Sequence, residues 1–225
     1  VIKYPDRPRG IGGYESLVKS IRRRIVLQEE RTKSTKKDYE NKIYPINNIN
    51  FKYIHCSNSG SILNLPQSYF NMVRVGMLLY GVAPSSEVTM DIPVEPVMSF
   101  CGSIVQLRRV PKGTQVSYGG VYSTDKETNI GVVQTGFADG FPRSWYEDGV
   151  VSYKGQQFKI AGRVCMDQLM VDFGDETPRI GDDVLFFGKK DLDHLPAERI
   201  AKSIGSTTYV LLTAIKGRTK YIYLK

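Results

Sequence analysis

The chain has 225 residues, 41% of them hydrophobic, enough for one large domain or two small cores, and a formal net charge of +8. Three cysteines (Cys56, Cys101, Cys165) at unrelated spacings argue against a disulfide framework and a zinc site, and read as reduced, intracellular thiols with no metal. With no signal peptide and no run of 18 apolar residues, a cytoplasmic protein without a membrane partner is expected. The first residue is Val1 rather than Met, so an upstream segment is expected.

Residues 1–50 hold twelve Lys/Arg against six Asp/Glu. Arg22-Arg23-Arg24 lies where Leu17, Ile21 and Ile25 recur every four positions, which reads as the solvated face of a helix over about 14–30. A basic stretch can also mean nucleic acid, but no stacking motif, zinc spacing or helix-turn-helix pattern accompanies it, so no nucleic-acid partner is expected. Residues 31–50 are polar and loop-like. Phe51–Cys56 reads as a short strand, Pro66 breaks the following segment, and a second strand is expected over Met72–Gly76, which is α/β grammar.

After Pro93 the pattern changes to strands separated by turn signals. Candidates are Ser103–Val110, with Val105 and Leu107 on one face, then Ile130–Thr135, Gly149–Tyr153, Phe158–Val164, Leu169–Phe173 and Val184–Phe187. Pro111-Lys112-Gly113, Lys154-Gly155, Gly174-Asp175 and Gly181-Asp182 mark turns between many of them. One helix is expected after Pro196, with Ile200 and Ile204 on one face and Gly205 as its stop. Two last strands are expected over Thr208–Ile215 and Thr219–Leu224. The fold class is therefore α/β plus all-β, divided at residues 1–92 and 93–225.

Several strings can carry chemistry. His55-Cys56-Ser57-Asn58-Ser59-Gly60 ends a strand in small polar residues, which is either an ordinary turn or a loop that aims hydroxyls and amides at a phosphate. Arg74 stands among Met72, Val73, Val75 and Met77, so a partner for its charge is expected, and a structural salt bridge would satisfy it. Tyr118 precedes Gly119-Gly120 and reads as a turn residue, a core edge or a reactive phenol. Gly162–Gln168 reads as a buried strand followed by a turn, and Tyr209 as a strand residue at a core edge.

Taken in order, these strings resemble the C-terminal half of the alanine racemase family, closely from about residue 51 to 225 and faintly before it. That resemblance implies the end of a (β/α)8 barrel that binds pyridoxal 5′-phosphate (PLP), followed by a β-rich C-terminal domain. It implies a homodimer with a shared active site that interconverts L- and D-alanine and supplies D-alanine for peptidoglycan. By resemblance Ser59, Gly76 and Met77 hold the PLP phosphate, with Tyr209 near it, and Arg74 faces the pyridine nitrogen. Tyr118 is the catalytic tyrosine on one face of the substrate α-carbon, opposite a Schiff-base lysine, as a two-base mechanism requires. Met166 contributes a backbone contact near the substrate carboxylate, while Phe137, Arg143, Arg163 and Asp167 belong to the substrate entrance. Departures from the family pattern are Gly60 for Ala, Phe137 for Tyr and Val210 for Glu. The family's lysine lies upstream. Lys3 follows two apolar residues but lacks the Tyr-Gly expected after it, and Arg9-Gly10 only partly matches the family's substrate-carboxylate strand, so the lysine is not assigned. The competing expectation is a truncated, non-catalytic fragment or dimerisation module that works beside a separate N-terminal barrel.

Overall fold

The computed structural model describes residues 52–85 and 88–224. The expected helix over 14–30, the loop over 31–50, Lys3 and Arg9 lie outside the described residues. The chain divides into two compact units, one of residues 1–95 with 222–225 and one of 96–221.

In the first unit a single parallel bridge joins His55 to Met72, and the Arg74 amide donates to the Ser57 carbonyl at 2.9 Å. The expected strand over Met72–Gly76 is reduced to this short parallel contact. Helix α1 (Ser59–Asn64) begins at Asn58, whose Oδ1 accepts from the Ser61 amide at 3.0 Å, as a helix cap should. Its apolar face supplies Ile62 and Leu63, which pack with Tyr69, Leu78 and Ile92. A one-turn 3₁₀ helix, Met77–Tyr80, ends at Gly81 in the left-handed region (φ 68°).

The second unit is antiparallel. Strands β1 (Phe100–Val110), β4 (Thr128–Val133), β7 (Leu169–Asp172), β6 (Gln156–Ile160), β5 (Val150–Tyr153) and β8 (Asp183–Lys190) pair in that order. The ladder then returns from β8 to β1, so the sheet closes on itself and loses its open edges. Strand β9 (Asp193–Leu195) pairs outside β8, and a separate two-stranded ribbon joins β2 (Gln115–Val116) to β3 (Tyr122–Ser123). The core is aromatic: Phe186 stands 5.1 Å from Phe100 and 4.9 Å from Phe141, which stacks in turn on the only tryptophan, Trp145.

Three local expectations are corrected. Register shifts between Ile104 and Gln106, so Val105 sits at a bulge and is exposed instead of sharing a paired face with Leu107. The segment expected as the strand Thr208–Ile215 contains helix α3 (Thr208–Ala214), following α2 (Ala197–Ser203). Its buried residues Thr208, Leu211 and Leu212, with Ile215 just beyond, recur at helical spacing, and that periodicity overrides the β-branched composition. Finally, Thr219–Leu224 forms no strand, and the Tyr221 hydroxyl instead donates to the Ile215 carbonyl.

Candidate active-site residues

In the first unit Ser59 is buried, and backbone amides converge on its hydroxyl: Gly76 N–H donates to Oγ at 2.9 Å and Leu78 N–H at 3.5 Å. Ser57 is fully buried and pairs with Ser68, through its carbonyl at 2.6 Å and its hydroxyl at 2.6 Å, which fixes the loop carrying Ser59. A Cβ built on Gly76 would make an ordinary contact with Ser59 Oγ at 3.5 Å, and Gly76 itself is exposed. Met77, which follows it, is buried. The salt-bridge partner expected for Arg74 is not found among the described residues. Its guanidinium is exposed and, among the described residues, donates only to the Cys56 carbonyl at 3.4 Å, with no carboxylate partner. Water satisfies the charge that a buried setting would have obliged a partner to meet.

In the second unit Tyr118 sits at the tip of the β2–β3 ribbon, 68% exposed. The turn that presents it needs three residues in the left-handed region, Ser117 (φ 65°), Gly119 (φ 75°) and Gly120 (φ 57°), which explains the two glycines after the tyrosine. Ser117, at φ 65° and ψ −177°, occupies a region otherwise kept for glycine, at a cost of about 1–3 kcal/mol. Its hydroxyl donates to the Arg163 carbonyl at 2.6 Å, tying the tyrosine turn to the segment before Met166. The ribbon is moored from β3, where the Tyr122 hydroxyl donates to Asp172 Oδ2 at 2.5 Å. Burial, then this bond to a carboxylate, pushes the Tyr122 phenol well above its ordinary range, so it stays a donor. Next to Tyr118 an open cavity of about 360 Å³ is lined by Gln106, Arg108, Ser117, Cys165 and Gln168, among others.

The two remaining motifs are stitched together. Phe137 N–H donates to the Cys165 carbonyl and Ala138 N–H to the Met166 carbonyl, both at 3.0 Å. Met166 and Asp167 project outward, and Arg143 places its guanidinium 5.6 Å from the Phe137 ring centroid. A cation can lie over an aromatic face without a hydroxyl, so Phe137 keeps this contact although it lacks the tyrosine oxygen. Tyr209 stands exposed on the first turn of α3. Thus Tyr118, Arg163, Met166, Asp167, Phe137 and Arg143 share one linked set of turns, and Ser59, Gly76 and Met77 form a second set in the first unit. No hydrogen bond joins Tyr209 to the second unit's set among the described residues.

Arg218 carries no signal in the sequence. It pairs with Asp139 and Asp167, 79 and 51 residues away, and those carboxylates, Asp139 foremost, hold its guanidinium firmly charged. Among the described residues no cluster of His, Cys, Asp and Glu could hold a metal ion, and no helix is long and apolar enough to cross a membrane.

Comparison with known proteins gives this arrangement a family. A family model for the alanine racemase C-terminal domain matches residues 97–223, and one for the N-terminal domain matches residues 32–84. The alanine racemase of Desulfovibrio desulfuricans is 39% identical over 173 residues, 76% of this chain and 46% of that protein. That of Carboxydothermus hydrogenoformans is 40% identical over 179 residues, 78% of this chain and 48% of that protein. Among solved structures, alanine racemase from D-cycloserine-producing Streptomyces lavendulae superimposes with a TM-score of 0.74 at 34% identity, covering 79% of this chain and 47% of that one. The Bartonella henselae alanine racemase, solved with covalently bound pyridoxal phosphate, gives 0.68 at 30% identity, covering 75% of this chain and 46% of that one. The chain spans about half the length of the curated relatives it matches. With the two domain models matched in chain order and the whole antiparallel unit covered, the chain belongs to the alanine racemase family.

Proposed function

We propose that this chain supplies the C-terminal half of a PLP-dependent racemase that interconverts L- and D-alanine, giving D-alanine for peptidoglycan in the cytoplasm. In this reading residues 1–92 are the remnant of the PLP-binding barrel, residues 93–225 the C-terminal domain, and the working form is a homodimer with shared active sites. The observation that carries the reading is the Ser59 site. There the amides of Gly76 and Leu78 donate to the oxygen of one buried hydroxyl, which fixes it beside the exposed Gly76 and leaves its proton to donate to a phosphate. The exposed guanidinium of Arg74 likewise fits the pyridine nitrogen of the same cofactor.

When bound, PLP supplies the electron sink that makes a substrate α-proton acidic. Each remaining role except that of the lysine is filled by a residue of the chain. Ser59 and the backbone at Gly76 and Met77 hold the phosphate, with Tyr209 near it. Arg74 donates to the ring nitrogen, and a guanidinium is a donor only, with no acceptor to offer in return. The Tyr118 phenol moves a proton at one face of the α-carbon, and a lysine serves the other face. Met166 offers its backbone to the substrate carboxylate, while Phe137, Arg143, Arg163 and Asp167 line the way in.

A second reading is a non-catalytic fragment or dimerisation module, since the lysine that the mechanism needs is not assigned in the chain. A single experiment separates the two. The chain is assayed for D-alanine formation from L-alanine with PLP, alone and co-expressed with the upstream half of the Desulfovibrio desulfuricans racemase. The complexes are then reduced with borohydride and any pyridoxyl-lysine is located by mass spectrometry. Racemisation with an adduct in the upstream half supports the proposed function. Failure to racemise in either form sinks it and leaves the module reading.

A further inference from the structure

One side chain outside the motifs holds the two turns of the second unit together. Arg218, in the segment after α3, donates through Nε to Asp139 Oδ1 at 2.6 Å and through Nη2 to Asp139 Oδ2 at 3.2 Å. The same Nη2 donates to Asp167 Oδ1 at 2.6 Å. Asp139 lies in the Phe137–Asp139 turn and Asp167 in the turn that carries Met166, so one planar fork spans both.

Asp139 is the anchor of this arrangement. Its side chain is only 15% exposed, its Oδ2 also accepts from the Gly136 amide at 2.9 Å, and its carbonyl accepts from Thr219 Oγ1 at 3.1 Å. Asp167 is the free end, with its side chain 62% exposed. Without the guanidinium the 165–168 turn would meet the Phe137–Asp139 turn through the two backbone bonds of Phe137 and Ala138, and two carboxylates would face each other unscreened. Both Nε and Nη2 are committed to these partners, so the guanidinium ties the two turns through two of its three nitrogens.

We propose that Arg218 is a positioning residue, which locks the Met166 turn against the Phe137 turn and so fixes where the Met166 backbone, the Asp167 carboxylate and the Phe137 ring stand. Its consequence for substrate rests on the proposed function, in which the Met166 backbone meets the substrate carboxylate.

Amide hydrogen exchange on the purified chain tests the lock without any cofactor. Arg218→Gln is expected to speed exchange at Phe137 and Ala138 by about tenfold or more, leaving Asn129 and Phe173, which are bonded within the barrel, unchanged. Arg218→Lys, a point charge able to hold one carboxylate, is expected to protect these amides partly. Asp167→Ala is expected to release Ala138 while leaving Gly136 held by Asp139. Unchanged exchange at Phe137 and Ala138 overturns the proposal, as does equal acceleration throughout the barrel, which would make Arg218 a general stabiliser.

The substrate consequence is read in the co-expressed racemase, where Arg218→Gln is expected to raise KM for alanine about tenfold with a smaller change in kcat. A fall in kcat at unchanged KM overturns that part. If the parent assembly does not racemise, the proposed function fails and the substrate role with it, while the exchange result still decides whether Arg218 holds the turns.

Discussion

Replacing Gly136 by alanine adds one methyl group at the junction on which the second unit's candidate residues depend. Gly136 has ordinary extended backbone (φ −141°, ψ −166°), so alanine meets no conformational penalty there. The obstacle is space, because a Cβ would overlap the carbonyl oxygens of Met166 and Cys165, which are backbone atoms and cannot rotate aside. Relief requires the two segments to separate by about 1 Å, which breaks the bonds from Phe137 and Ala138 to those same carbonyls. Two lost backbone bonds at about 1 kcal/mol each, with about 1 kcal/mol of residual overpacking, give a destabilisation of about 3 kcal/mol. Trp145, the only tryptophan and buried in this unit, reports urea unfolding by fluorescence. For a slope of about 2 kcal/mol per molar urea the midpoint should fall by about 1.5 M. Gly113→Ala is the control, since its Cβ would meet nothing and only its left-handed backbone (φ 83°) resists, at about 1 kcal/mol. A Gly136→Ala midpoint within about 0.3 M of the parent would refute the argument, because the junction would then have room that the geometry denies it.

Three further outcomes are expected. Tyr118→Phe should leave the Trp145 unfolding midpoint within about 0.5 kcal/mol of the parent, because an exposed hydroxyl at the ribbon tip supports no packing; a larger loss would mark the tyrosine as structural. Ser59→Ala removes the acceptor of the Gly76 amide and should weaken PLP binding by about tenfold or more in the co-expressed racemase; unchanged affinity in a fluorescence titration would remove Ser59 from the phosphate site. Burial pushes the Cys101 thiol up to about 11 and outweighs the opposing Lys190 charge. Iodoacetamide at pH 8 should therefore modify exposed Cys56 well before Cys101, as peptide mass spectrometry would show. Because the folded state favours the protonated thiol, its contribution is complete below the unfolded value near 8.5 and is lost as pH rises towards 11, so stability should decline over that window. Cys101 labelling as fast as Cys56 would contradict this.

Legibility in the sequence followed the range of the interactions. The barrel strands could be read because their turns are local: Lys154 and Gly155 both adopt positive φ between β5 and β6, as the Lys-Gly signal implied. Helix α3 reads as a strand in sequence because Thr208, Val210, Thr213 and Ile215 suit a strand by composition, while the burial period that decides the matter runs through Thr208, Leu211, Leu212 and Ile215. The neighbours of Arg74 in sequence are apolar, whereas solvent reaches its guanidinium in the fold. The turn chemistry around Tyr118 was half visible, in Gly119-Gly120, but nothing announced that Ser117 reaches Arg163 across 46 residues. Arg218 left no signal, since its partners are fixed only when three distant loops meet.

The most direct test of the account is proton exchange at the alanine α-carbon in deuterium oxide, using the chain co-expressed with the upstream half of a relative. If Tyr118 serves one face of that carbon and a lysine the other, Tyr118→Phe should lower racemisation by about 10²–10⁴-fold while deuterium still enters from one enantiomer and not from the other. Racemisation by Tyr118→Phe at the parent rate, with exchange retained from both enantiomers, would contradict the claim that this chain supplies one of the two proton-transfer groups.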